Sequence, residues 1–128
     1  MASLLRLTRF LSLWLFWPGV GLIAWGELTP SPPNLDAVLG WDKLEHFIAY
    51  FGLASMATLV IGLRPKLALA ILGVILFGAV LEILQQFTGR DPELLDFAAN
   101  TIGAFAGLGA GLLFLRVTDP LVGPRRAN

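Results

Sequence analysis

Apolar residues fall into four long runs, at about residues 10–28, 46–63, 67–87 and 95–115, separated by short segments rich in proline, glycine and charge. An α-helix rising 1.5 Å per residue needs about 20 mostly apolar residues to cross roughly 30 Å of hydrocarbon. Each run meets that length, so the pattern predicts an all-α membrane protein, a bundle of four transmembrane helices. The runs consume most of the chain, and residues 1–128 read as a single transmembrane domain.

The breaks between runs say how the helices connect. Thr29-Pro30-Ser31-Pro32-Pro33-Asn34 cannot continue a helix, because its prolines lack donors and restrict the residues before them. It reads as an extended connector. Gly62-Leu63-Arg64-Pro65-Lys66 is a tight turn that makes the second and third helices antiparallel neighbours. Thr88-Gly89-Arg90-Asp91-Pro92-Glu93 is a polar loop leading into the fourth helix, with Asp91 or Asp96 placed to cap its start. Pro18-Gly19 predicts a kink inside the first helix, which neighbouring helices can accommodate. That first run is longer than a signal-peptide core and lacks a small-x-small cleavage site, so it reads as an uncleaved span.

Composition agrees with the pattern: 56% of residues are hydrophobic and the mean hydropathy is +0.76. The absence of cysteine excludes disulfides and thiolate chemistry. Charge adds orientation. Nine cations balance nine acids, yet alternate threading sorts them. Arg6, Arg9, Arg64, Lys66, Arg116, Arg125 and Arg126 gather at one set of helix ends. Glu27, Asp36, Asp42, Glu45, Glu82, Asp91, Glu93 and Asp96 gather at the other, with only Lys43 and Arg90 among them. Basic loops stay cytoplasmic, which predicts a bacterial inner membrane, both termini in the cytoplasm and the acidic end facing outward. Scattered topology cations give no support for nucleic-acid binding.

Three helices carry polar groups to the same shallow outer layer. Asp42, His46 and Tyr50 are spaced i, i+4, i+8, with Lys43 and Glu45 beside them. Glu82 is followed by Gln85 and Gln86, and Asp96 stands one turn from Asn100. An ionisable group in hydrocarbon costs at least about 2.5–3.5 kcal/mol on insertion scales, so these residues are expected to face inward and share partners. They define a candidate pocket in which His46, Glu82 and Asp96 are the candidate catalytic groups. Asp42, Lys43, Tyr50, Gln85, Gln86, Arg90 and Asn100 are the candidate binding groups. Lys43 and Arg90 suit a phosphate, while Glu45 and Glu93 read as solvated and Trp41 as an interfacial anchor. One histidine among carboxylates is an unselective ligand set, so no metal and no cofactor is assigned. Gly103, Gly107 and Gly111 form a smooth stripe for close helix packing, in the bundle or between two copies of the chain.

The same residues resemble the VanZ-like family. Asp42-Lys43-Leu44-Glu45-His46-Phe47-Ile48-Ala49-Tyr50-Phe51 is similar to its first signature. Glu82-Ile83-Leu84-Gln85-Gln86 with Arg90 resembles its second, and Asp96-Phe97-Ala98-Ala99-Asn100-Thr101-Ile102-Gly103 its third. The three stand in the family's order over residues 42–111. The resemblance implies a four-helix integral membrane protein akin to an accessory protein of teicoplanin resistance. It carries over the motif residues but no reaction, and the short stretch from Glu82 to Asp96 departs from members with a longer outer loop.

Two functional expectations follow. One is binding or modification of a lipid-linked envelope intermediate or phospholipid headgroup, with membrane lipids as partners and His46 as general base or nucleophile. The other is a non-catalytic membrane scaffold whose polar cluster locks helix packing. A transport role is disfavoured because no acid interrupts the inner half of any run.

Overall fold

A computed structural model describes residues 2–30 and 41–118. Among the described residues four helices follow one another: α1 (Ala2–Leu28), α2 (Asp42–Ile61), α3 (Lys66–Gln85) and α4 (Leu94–Thr118). All four are long and apolar enough to cross a membrane, and the chain is a multi-pass membrane protein. Most of the expected connector, Asp36 and the tail from residue 119 lie outside the described residues.

The helix ends depart from the hydropathy runs for identifiable reasons. α1 starts near the chain's beginning and continues unbroken through Pro18. Arg9 reaches α2: its Nε donates to the Leu59 carbonyl at 3.1 Å, near the end of that helix. α2 begins at Asp42, one turn before its apolar run, with Asp42 and Glu45 in the first turn where the helix dipole favours acids. The Asp42 carboxylate accepts the Lys43 N–H at 2.9 Å. α2 closes at Gly62, whose φ of 69° suits glycine and whose N–H donates to the Thr58 carbonyl.

α2 and α4 form the closest pair, and glycine is the cause. A Cβ at Gly103 would overlap the Phe47 carbonyl oxygen, and one at Gly107 would overlap that of Phe51. At Gly111 it would lie 2.7 Å from Thr58 Cβ. Ser55 Oγ donates to the Gly107 carbonyl at 3.1 Å across the same seam. The small-residue stripe is thus occupied by α2 within one chain. It is not a free face for a second copy, because a homo-oligomer using it would have to displace α2.

Tyr50, Leu53, Ala54, Leu67, Ile71, Val74 and Ala104 make the apolar core. Large apolar side chains also point outward along the bundle, including Phe10, Trp14, Trp17 and Leu22 on α1, Leu69 and Ile83 on α3, and Phe105 and Leu113 on α4. Such a surface suits lipid, where backbone polar groups must be satisfied inside helices and apolar exposure carries no penalty. α1 is the most peripheral helix, with few buried residues: Leu5, Ser12 and Glu27.

Candidate functional site: a carboxylate and histidine cluster at one end of the bundle

Where α1 and α3 end and α2 and α4 begin, all four helices contribute buried polar groups. Glu27, Lys43, His46, Glu82, Gln85, Asp96 and Asn100 are each at most 9% exposed, and Tyr50 is fully buried. The buried stripe of α2 runs through Lys43, His46, Tyr50 and Leu53. Asp42, which the i, i+4, i+8 spacing had placed on that face, lies just outside it and is exposed.

His46 sits at the centre. Nδ1 is 3.1 Å from Asn100 Oδ1 and 3.5 Å from Glu27 Oε1. On the other side of the ring, Nε2 is 3.5 Å from Asp96 Oδ2. A hydrogen-bonded carboxylate on one ring nitrogen fixes the tautomer available to the other. Glu82 approaches from α3. Its Oε2 accepts the backbone N–H of Glu93 at 3.2 Å. The Glu93 carbonyl in turn accepts the N–H groups of Asp96 and Phe97, so a carboxylate from α3 satisfies the residue that opens α4.

Lys43, expected to suit a phosphate, is engaged within the protein. It is buried, and its Nζ lies 2.8 Å from Asp42 Oδ2, 2.6 Å from Glu93 Oε2 and 2.6 Å from Asp96 Oδ1. An ammonium has three N–H donors, so three carboxylates use them all. Glu93, read from sequence as merely solvated, is half-exposed but holds this ion pair. Arg90 also points elsewhere than expected: its Nη1 donates to the carbonyls of Gly26 at 3.1 Å and Glu27 at 2.9 Å. It closes the C-terminus of α1, aided by Gln85 Nε2 on the Glu27 carbonyl at 3.3 Å. Gln86 is exposed and stands outside the cluster.

Glu27 is the residue sequence reasoning left out of the pocket. The signal was present, since Glu27 is the only carboxylate within residues 10–28 and lies in the last turn of that run. Among the described residues, the Glu27, His46 and Glu82 side chains offer ligand atoms all within 4.8 Å of one another. A second group, Asp42, Glu93 and Asp96, is equally close but already surrounds Lys43.

The cluster combines a proton carrier with several proton acceptors in a water-poor setting, which permits general acid–base work. Comparison with family models, curated proteins and solved structures finds no match for the chain, so its chemistry has to be read from these residues themselves.

Proposed function

We propose that this protein is a VanZ-like protein of a bacterial inner membrane, with the cluster at the outer face, where it binds a phosphate-bearing lipid headgroup. The headgroup belongs to a phospholipid or a lipid-linked envelope intermediate, and His46 serves as its proton acceptor with Asp96 orienting the ring. The observation that carries this reading is the convergence of buried His46, Glu27, Glu82 and Asp96 from four helices at one end of the bundle. Buried charges are retained at such cost where they work on something. Lys43 is fully engaged by carboxylates, so Arg90, which is only half-buried, is the cation nearest to serving a phosphate.

An apolar groove of about 430 Å³ supports a lipid ligand. It is lined by Phe16, Trp17, Val20, Leu53, Val74 and Phe77, among others. Phe77 precedes Glu82 by five residues, about 8 Å along α3, so the groove lies at acyl-chain depth below the cluster.

A second reading has its own observation. Asn100 with His46, Gln85 and Arg90 with α1, and Lys43 with Asp96 and Glu93 all join different helices or their loops. Such bonds contribute about 0.6–2 kcal/mol each and specify register, which is the scaffold role. Native mass spectrometry of gently extracted protein separates the two. Lipid retained by the wild type and lost from a folded His46→Ala, Arg90→Ala variant supports headgroup binding. Equal lipid profiles, with the variant unfolding more easily, leave the scaffold reading.

A further inference from the structure

We infer that Glu27, His46 and Glu82 form a binding site for a divalent first-row transition-metal ion such as Zn²⁺ or Mn²⁺. Charge is the first argument. Among the described residues, seven carboxylates at this end, Glu27, Asp42, Glu45, Glu82, Asp91, Glu93 and Asp96, stand against Lys43 and Arg90. Neither cation serves Glu27 or Glu82. Lys43 is surrounded by Asp42, Glu93 and Asp96, and Arg90 binds the backbone of Glu27. Two carboxylates from different helices therefore meet in a buried position with His46 as their only nearby basic group among the described residues.

Unmet bonding capacity is the second argument. Glu27 Oε2 and Glu82 Oε1 are buried without a hydrogen-bond partner, and both residues are 7% exposed. The Tyr50 hydroxyl, fully buried and facing the Glu27 carboxylate, is unpartnered as well. A buried polar atom left bare costs about 1–3 kcal/mol, more when charged, so three at one spot point to a missing occupant. A proton on His46 Nδ1 would satisfy Asn100 Oδ1 but would leave both carboxylate oxygens bare. A divalent cation held by Glu27, His46 and Glu82, whose ligand atoms lie within 4.8 Å of one another, would meet both carboxylates.

Geometry is the third argument. Metal–nitrogen and metal–oxygen distances near 2.1 Å at a tetrahedral angle place two ligand atoms about 3.4 Å apart. His46 Nδ1 and Glu27 Oε1 are 3.5 Å apart. Asp96 Oδ2 lies 3.5 Å from Nε2, where it can take that N–H and leave the Nδ1 lone pair for the metal, so in the metal-bound form His46 is a ligand and not the proton acceptor of the metal-free cluster. A carboxylate behind a ligating histidine is the usual supporting arrangement. Imidazole with two carboxylates favours a transition metal over Mg²⁺ or Ca²⁺, which take all-oxygen sets. The adjacent Asp42, Glu93 and Asp96 group makes no such site, because the Lys43 ammonium fills it.

The test uses the full-length protein purified in mild detergent, stripped with chelator and titrated with Zn²⁺, Mn²⁺ or Mg²⁺. The expected result is one Zn²⁺ per chain and a raised unfolding temperature, with Mg²⁺ ineffective at the same concentration. Glu27→Gln and Glu82→Gln should each weaken Zn²⁺ binding by at least about tenfold, while Asp42→Asn leaves it unchanged. X-ray absorption of the Zn²⁺-loaded wild type should show one imidazole among oxygen ligands, and this readout stands even if a variant fails to fold. No saturable Zn²⁺ or Mn²⁺ binding by folded wild type overturns the site. So does binding that survives Glu27→Gln with Glu82→Gln, or that Asp42→Asn abolishes. Lipid retention is measured separately, so protein that holds lipid but binds neither Zn²⁺ nor Mn²⁺ overturns this site alone.

Discussion

Replacing Gly107 with alanine sets two opposed effects against each other, and the structure decides between them. Alanine within a helix is favoured over glycine by about 1 kcal/mol. Against that, the new Cβ would overlap the Phe51 carbonyl oxygen and come within 3.0 Å of Phe51 C and Cα. These are backbone atoms, so no rotamer change relieves the contact. Relief requires α2 and α4 to part locally by about 1 Å in a close-packed interior. Overpacking of this kind costs about 1–3 kcal/mol. The Ser55 hydroxyl bond to the Gly107 carbonyl, 3.1 Å across the seam, is stretched as well, at about 0.6 kcal/mol. The net expectation is a destabilisation of about 2 kcal/mol. Gly109→Ala is the internal control, since a Cβ there meets nothing within 4 Å. The assay is unfolding of detergent-solubilised protein by dodecyl sulfate, followed by far-ultraviolet circular dichroism. Equal stability of Gly107→Ala and Gly109→Ala would refute backbone contact between α2 and α4 at this seam.

Two further perturbations probe the polar end. Lys43→Met removes the ammonium shared by Asp42, Glu93 and Asp96. Stranding a buried charge costs about 3–5 kcal/mol, reduced here to about 2–3 because two of the partners are half-exposed. Adding Asp96→Asn should recover much of the loss, and a double-mutant cycle in the same unfolding assay measures it. Arg90→Met removes two bonds to the last carbonyls of α1. It should lower stability by about 1–2 kcal/mol and speed amide hydrogen exchange in the final turn of α1, while Arg116→Met leaves that turn unchanged.

The architecture was legible because hydropathy needs only composition at about 20-residue resolution, and four runs give four helices. Helix ends were less so, because apolarity and helicity are different properties. α2 starts at Asp42, where dipole and side-chain bonding favour acids, while hydropathy begins a turn later. The site was legible as a level along the bundle axis, since one rise per residue fixes depth. Azimuth was harder. Lys43 reads in sequence as a cation free for a phosphate, because its partners Glu93 and Asp96 lie on another segment. Glu27 was overlooked for a similar reason: its partners His46, Gln85 and Arg90 lie on other elements, and no spacing rule within α1 reveals them. Gln85 and Gln86 look alike in sequence, but neighbouring positions on a helix lie about 100° apart, so only one faces the cluster.

The glycine seam and the polar cluster are one construction. Phe47, whose carbonyl touches Gly103, adjoins His46 in sequence, and Gly103 lies less than a turn beyond Asn100. The spacing that glycine permits between α2 and α4 therefore sets the reach between His46 and Asn100 and between Lys43 and Asp96. Those two helices supply the rigid half of the site. The other half is held differently. α1 buries few residues, and its contribution, Glu27, is fixed through the carbonyl bonds of Arg90 and Gln85. Rigid packing positions His46 and Asp96, whereas a few hydrogen bonds position Glu27. A ligand that draws in the Glu27 carboxylate must then work against those bonds and the partly buried contacts of Val20 and Ile23 with the core, not against a fully packed helix. For the same reason, loosening Arg90 should weaken occupancy of the Glu27 arm well before it disturbs the geometry around His46 and Asn100.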